Sequence, residues 1–164
     1  KLWKIFLKKN LAEIIKIENN SKNSWIWKKR EELVHIQKEL NYNHKFDISL
    51  PLSQWKNFIL KINKFTKKNT QFTSYFFGHL GDGNLHCNFK VENELKKDIN
   101  ILSEFIYDLT LSLNGSIAAE HGLGQKKNML LKKYKSKEYY DFLKNLKNYL
   151  DPKKNLGANK LFKS

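Results

Sequence analysis

Apolar residues fall along this chain in two rhythms. Over residues 1–18, Leu2, Trp3, Ile5, Phe6, Leu11, Ile14, Ile15 and Ile17 recur among lysines at helical spacing, and a polar break follows at 19–23. Residues 25–40 read as helical in their second half, with Leu33, Val34 and Ile36 on one side. The rhythm then shortens to alternation at 45–50, a strand stopped by Pro51. Ser53 is placed to cap a helix running to about Phe65. Two β-rich runs follow at 71–80 and 84–91, then a long helix over 94–113 ended by Asn114 and Gly115, then a loop to about Gly124. A last helical region covers 127–150 and closes at Asp151 and Pro152. Helices mixed with an antiparallel hairpin predict an α+β domain, an antiparallel sheet covered by helices.

Composition narrows this picture. A chain of 164 residues fits one domain, and 40% hydrophobic residues with eleven Phe, four Trp and seven Tyr argue against disorder. No apolar run approaches the roughly 20 residues that cross a bilayer, and no signal pattern opens the chain, so no transmembrane segment is expected. The single cysteine, Cys87, excludes an internal disulfide and a cysteine-only metal cage. The net charge of +15 comes almost wholly from lysines scattered with asparagines, not from an arginine–aromatic groove, so no specific nucleic acid is expected. Arg30 is the only arginine, which suits a place needing a planar, bidentate fork.

The chemistry concentrates in two segments. Asp82-Gly83 between β-rich runs signals a two-residue turn, which would pair Gly81 with Asn84, Leu80 with Leu85 and His79 with His86. Opposed residues have Cβ atoms about 4.5–5.5 Å apart, close enough for two imidazoles to share one ion. Alternation puts Phe77, His79, His86 and Asn88 on one face and Leu80, Leu85, Cys87 and Phe89 on the core face. In the second segment, Gly115, Gly122 and Gly124 bracket Glu120 and His121, so the backbone can bend tightly around two ionisable groups. Glu120 can complete a two-histidine, one-carboxylate set around a divalent ion, leaving His121 as a general base. A plain hairpin with stacked histidines and a solvent-exposed Glu-His pair is the simpler alternative.

Gly78-His-Leu-Gly-Asp-Gly-Asn-Leu-His86 and Ala119-Glu-His-Gly-Leu-Gly124 resemble the two signature motifs of the C-terminal domain of FAD-linked oxidases. These are the D-lactate, glycolate and D-2-hydroxyglutarate dehydrogenases of the vanillyl-alcohol-oxidase type. Trp27-Lys-Lys-Arg-Glu31, His44-Lys-Phe-Asp-Ile-Ser-Leu-Pro51 and Leu150-Asp-Pro-Lys153 resemble further family segments in the same order. The resemblance implies a ferredoxin-like substrate domain over residues 1–164, truncated at its N-terminus and lacking the FAD-binding domain. It implies His79, His86 and Glu120 as ligands of a divalent metal, usually zinc, and His121 as the base. It further implies Asn88, Arg30 and Lys45 as substrate contacts, and FAD as the hydride acceptor, held mostly by the missing domain. The residues that bind the flavin are not identified by it.

The expected reaction is oxidation of a small D-2-hydroxy acid to the 2-oxo acid. The expected partner is an N-terminal FAD-binding domain or subunit, with room for a homodimer, in the cytoplasm or, in a eukaryote, the mitochondrion. Two positions depart from the family. Gly157-Ala-Asn-Lys160 stands where members usually carry Asn-Pro-Gly-Lys, and Val34 stands where 2-hydroxyglutarate enzymes tend to carry a hydroxyl residue. The rival readings are a non-catalytic remnant, a basic nucleic-acid binder, and a flavin-free metal hydrolase using the same ligands.

Overall fold

The computed structural model describes residues 28, 31, 32, 35, 39, 41–125, 127–157 and 160–162. The chain divides into two units, 1–41 and 42–164; in the first, Lys28, Glu31, Glu32, His35 and Glu39 are helical. The expected helix over 1–18, Arg30 and Val34 lie outside the described residues.

The second unit is built on a three-stranded antiparallel sheet. Strand β1 is His44–Ser49, β2 is Phe72–His79 and β3 is Asn84–Val91, in the order β1-β3-β2. Both outer strands run antiparallel to β3, so β1 and β2 are parallel to each other with β3 between them. That is the split β-α-β arrangement of ferredoxin-like folds. Among the described residues, an isolated bridge between Ser49 and Ser116 lies on the side of β1 away from β3.

Helix α1, Trp55–Lys68, connects β1 to β2. Trp55, Phe58, Ile59, Ile62 and Phe65 recur every three or four residues, and Phe58 and Ile62 are fully buried. Ser53 sits inside a short 3-10 turn, Leu52–Gln54, and Gln54 takes the cap position without a side-chain bond, so the expected serine cap is not made. Helix α2, Lys96–Ser112, follows β3 and buries Leu102, Ile106, Tyr107, Leu109 and Thr110. These meet Phe46, Ile48, Leu85, Cys87 and Phe89 from the sheet in one core, with the rings of Phe65 and Phe105 stacked 4.0 Å apart. Cys87 is fully buried and its thiol is pushed well up, chiefly by burial, as suits an inert core residue.

The end of α2 is set by Asn114 at φ 58°, with Asn114 N–H donating to Leu111 O and Gly115 N–H to Thr110 O. This is the Schellman pattern with asparagine in the left-handed position. The final helical region is two helices rather than one. Helix α3, Asn128–Tyr134, stops at the extended Lys135, and α4, Lys137–Leu150, restarts because the Ser136 side chain accepts from Tyr139 N–H.

Burial has a measurable consequence at Tyr107, which is 5% exposed and packs edge-on against Phe46. Burial, with a smaller push from Tyr134, raises its hydroxyl to about 12. Since the folded value exceeds the unfolded one, this stabilisation is complete below about pH 10 and fades as pH climbs towards 12. The expected loss is about 2–3 kcal/mol. Urea midpoints across that range should fall less steeply in Tyr107→Phe than in the parent; parallel curves would contradict the assignment.

Candidate metal and substrate site

The hairpin is offset from the register that a two-residue turn would give. His79 pairs with Asn84, Gly78 with Leu85 and Phe77 with His86. Residues 80–83 form the connection, and Leu80 is exposed there instead of joining the core face. A type I′ turn needs positive φ at both central residues, and only Gly83, at φ 72°, has it. Asp82 Oδ1 instead accepts from Asn84 N–H at 3.1 Å, while Gly83 O accepts from Leu50 N–H at 3.0 Å and docks the turn on the end of β1. A Cβ at Gly83 would lie 2.5 Å from Leu50 O, so only glycine allows this contact. The offset is two residues, which keeps the paired strand residues on their expected faces, Leu80 being the exception.

One face of the sheet therefore carries Phe77 and His79 from β2, Asn84, His86 and Asn88 from β3, and Lys45 and Asp47 from β1. His79 and His86 are diagonal neighbours rather than opposed, with ring centroids 5.5 Å apart. The ring of Phe77, directly across from His86, lies 4.8 Å from it. Asn88 is buried and sits opposite the exposed Lys45, further along the same face.

The loop after α2 brings the remaining groups. It runs along the free side of β1, with Ser49 and Ser116 exchanging both backbone bonds and Ala119 N–H reaching Asp47 O at 3.3 Å. Gly115 makes this approach feasible, since a Cβ there would meet Ser49 O at 2.5 Å. Glu120 arrives beside the hairpin: its Oε1 lies 2.7 Å from His79 Nδ1 and accepts a short hydrogen bond from Asn84 Nδ2. Donor atoms of His79, His86 and Glu120 all lie within 4.8 Å of one another. Tetrahedral donors at bond lengths near 2.0–2.2 Å lie about 3.4 Å apart, so the set is of the right chemistry for a divalent ion and would have to draw in by about an ångström at its widest pair to hold one. Asn84 steadies Glu120 from a buried position.

Asp47 and Asn84 were not singled out by the sequence reading. Asp47 is 6% exposed, and its Oδ2 accepts from Glu120 N–H at 2.9 Å and His121 N–H at 3.1 Å. His121 Nδ1 lies 3.4 Å from the same oxygen, and His86 Nδ1 lies 3.3 Å from Oδ1. Burial works to raise the Asp47 carboxyl, but the two backbone donors and the flanking imidazoles together hold it below the ordinary aspartate value. The available signal was an acid between Phe46 and Ile48 on an alternating strand, which must face the histidines. His86 is pushed down, first by burial and further by the imidazoles of His79 and His121, with Asp47 and Glu120 opposing. Half-buried Lys127 is lowered by burial, against the pull of Asp47, which adds a cation to this neighbourhood.

His121 is the most open member, with 71% of its side chain exposed and its ring 6.3 Å from that of His86. The structure thus gathers His79, His86, Glu120 and His121 at one place and sets Asn88 and Lys45 on the same face beyond it. Arg30 lies outside the described residues.

Over residues 2–161 the sequence matches the family described as FAD linked oxidases, C-terminal domain. The D-2-hydroxyglutarate dehydrogenase, mitochondrial, of Bos taurus is 33% identical over 136 residues, covering 83% of this chain and 25% of that protein. A mitochondrial protein of Schizosaccharomyces pombe, provisionally named a D-lactate dehydrogenase, is 32% identical over 155 residues, 88% of this chain and 30% of its own length. The D-2-hydroxyglutarate dehydrogenase of Stutzerimonas stutzeri is 29% identical, covering 84% and 31%. The chain therefore spans between a quarter and a third of these relatives. Its match along nearly the whole length, with the signature histidines and glutamate converging in space, makes it a member of the FAD-linked oxidase C-terminal domain family.

Proposed function

We propose that this domain holds a small D-2-hydroxy acid for oxidation to the 2-oxo acid within an FAD-dependent oxidoreductase. The observation that carries this reading is the convergence of His79, His86 and Glu120 beside a further imidazole, His121, that stands outside the ligand set. When bound, a divalent ion, zinc by the resemblance, supplies Lewis-acid polarisation of an alcohol oxygen, and the flavin supplies the hydride acceptor.

The chain's own residues divide the remaining work. His79, His86 and Glu120 present the donor atoms. His121 accepts the hydroxyl proton as the α-hydrogen departs with its electron pair. Lys45 and, by the resemblance, Arg30 supply positive charge for carboxylates, and Asn88 a polar contact on the sheet face. The rings of Tyr75 and Phe77, 5.9 Å apart, continue the row from His86 along β2 and offer an apolar wall.

Flavin binding is assigned to an N-terminal domain or subunit, as the family description implies. Backbone N–H groups of Ser116, Ala119, Glu120 and His121 are bonded to β1 and Asp47 and so serve to seat this loop. The Bos taurus and Schizosaccharomyces pombe relatives carry the word mitochondrial in their names, which supports that compartment for a eukaryotic source. No helix among the described residues is long and apolar enough to cross a membrane.

The test is a titration of the zinc-loaded chain, followed by NMR, with D-2-hydroxyglutarate, D-lactate and their L enantiomers. Signals of His121, Lys45 and Asn88 should move with a D-2-hydroxy acid and less with its enantiomer. No movement with any 2-hydroxy acid at millimolar concentration would defeat the reading.

A further inference from the structure

Asp47 stands where two of the site's three imidazoles, His86 and His121, can reach it, and its two oxygens are used differently. Oδ2 accepts from the backbone of Glu120 and His121 and lies 3.4 Å from His121 Nδ1. Oδ1 is buried, makes no hydrogen bond of standard geometry among the described residues, and has His86 Nδ1 at 3.3 Å. A carboxylate can only accept, so an imidazole nitrogen turned towards it must carry the proton. Free imidazole side chains in water prefer the opposite tautomer, with the proton on Nε2.

We infer that Asp47 is the positioning residue of the site: it holds His86 and His121 with Nδ1–H turned towards itself, leaving each Nε2 lone pair for chemistry. This rests on the metal reading given above and adds the group that makes its ligand and its base competent together. The His86 lone pair then serves the ion, and the His121 lone pair receives the substrate proton. A ligating histidine whose other nitrogen is fixed by a carboxylate is a more basic and better oriented donor. Because the same carboxylate ties down the backbone at Glu120, the third ligand is delivered by the residue that orients the second.

Asp47→Asn separates this role from simple loop anchoring. The Asn amide oxygen can still accept the two backbone N–H groups, but its NH2 would face His86 in place of Oδ1. The experiment records histidine tautomers in the metal-free 164-residue chain by long-range proton–nitrogen NMR, at a pH where both rings are neutral. It then measures Co2+ affinity from the visible absorption of the ion. In the parent chain both rings should be Nδ1–H. In Asp47→Asn, His86 should switch to Nε2–H while His121 stays largely unchanged, and Co2+ affinity should fall about 10–100-fold. Circular dichroism checks that the variant is folded, and the tautomers of the parent alone suffice if it is not. His86 found as Nε2–H in the parent, or equal Co2+ affinity in the folded variant, overturns the inference. A parent chain that takes up no cobalt defeats the metal reading itself and this inference with it, an outcome distinct from equal uptake by both.

Discussion

Alanine at His79, His86 or Glu120 is expected to abolish stoichiometric uptake of a divalent ion. The reason is the number of ligands: three protein donors within 4.8 Å of one another form the candidate set, and removing one leaves two. Losing an outer partner of such a set costs about 10–100-fold in affinity, and losing a ligand should exceed that. His79 and Glu120 are the cleaner tests, because each side chain is 40% exposed and neither supports the core. The backbone anchor of Glu120 to Asp47 also survives a side-chain change. Equilibrium dialysis against Zn2+ with metal analysis reads the loss directly. Thermal unfolding provides a second check, since an ion at a hundred times its Kd stabilises the parent by about 2.7 kcal/mol and should give the variants almost nothing. Full metal content in the alanine variants would remove the site from consideration.

Replacing His121 should produce the opposite pattern, with metal retained and turnover lost. The ring is open to solvent, lies outside the ligand set, and stands 6.3 Å from His86, as suits a group that meets substrate rather than ion. In the chain joined with a flavin-binding partner, His121→Ala should lower kcat by roughly 10²–10⁴-fold, the usual contribution of a general base. Metal content should remain at one per chain, and added imidazole should restore part of the rate. A variant that lost its metal would place His121 among the ligands instead, and one with normal kcat would remove it from the chemistry.

Much of this site was legible in the residues, and the reasons are particular. The period of two along a strand survives an offset of two, so His79, His86 and Asn88 fell on the expected face although the turn between Leu80 and Gly83 was mistaken. Asp-Gly favours a tight reversal locally, whereas here Gly83 is drawn into a contact with Leu50, about thirty residues earlier. Local pattern also could not show the break at Lys135 and Ser136, where the residues on both sides read as helical. Asp47 escaped notice because its role depends on a loop more than seventy residues later in the chain. The alternation of Lys45, Asp47 and Ser49 did point its side chain the right way. Asn84 reads only as the strand residue opposite Gly81, yet its buried amide is what meets Glu120.

The thinness of the join between β1 and the following loop has its own consequence. One bridge at Ser49 and Ser116, one bond from Ala119 and the Asp47 clamp hold that segment to β1, and Ile117 and Leu123 are the loop's apolar contacts with a core supplied mainly by the sheet, α1 and α2. A fluctuation that peels the loop away costs far less than melting the core, so the ligand set can come apart in a molecule that is otherwise native. Loaded ion would then act as a staple across residues distant in sequence, and its departure under mild heating would precede collapse of the fold as a separate, reversible event.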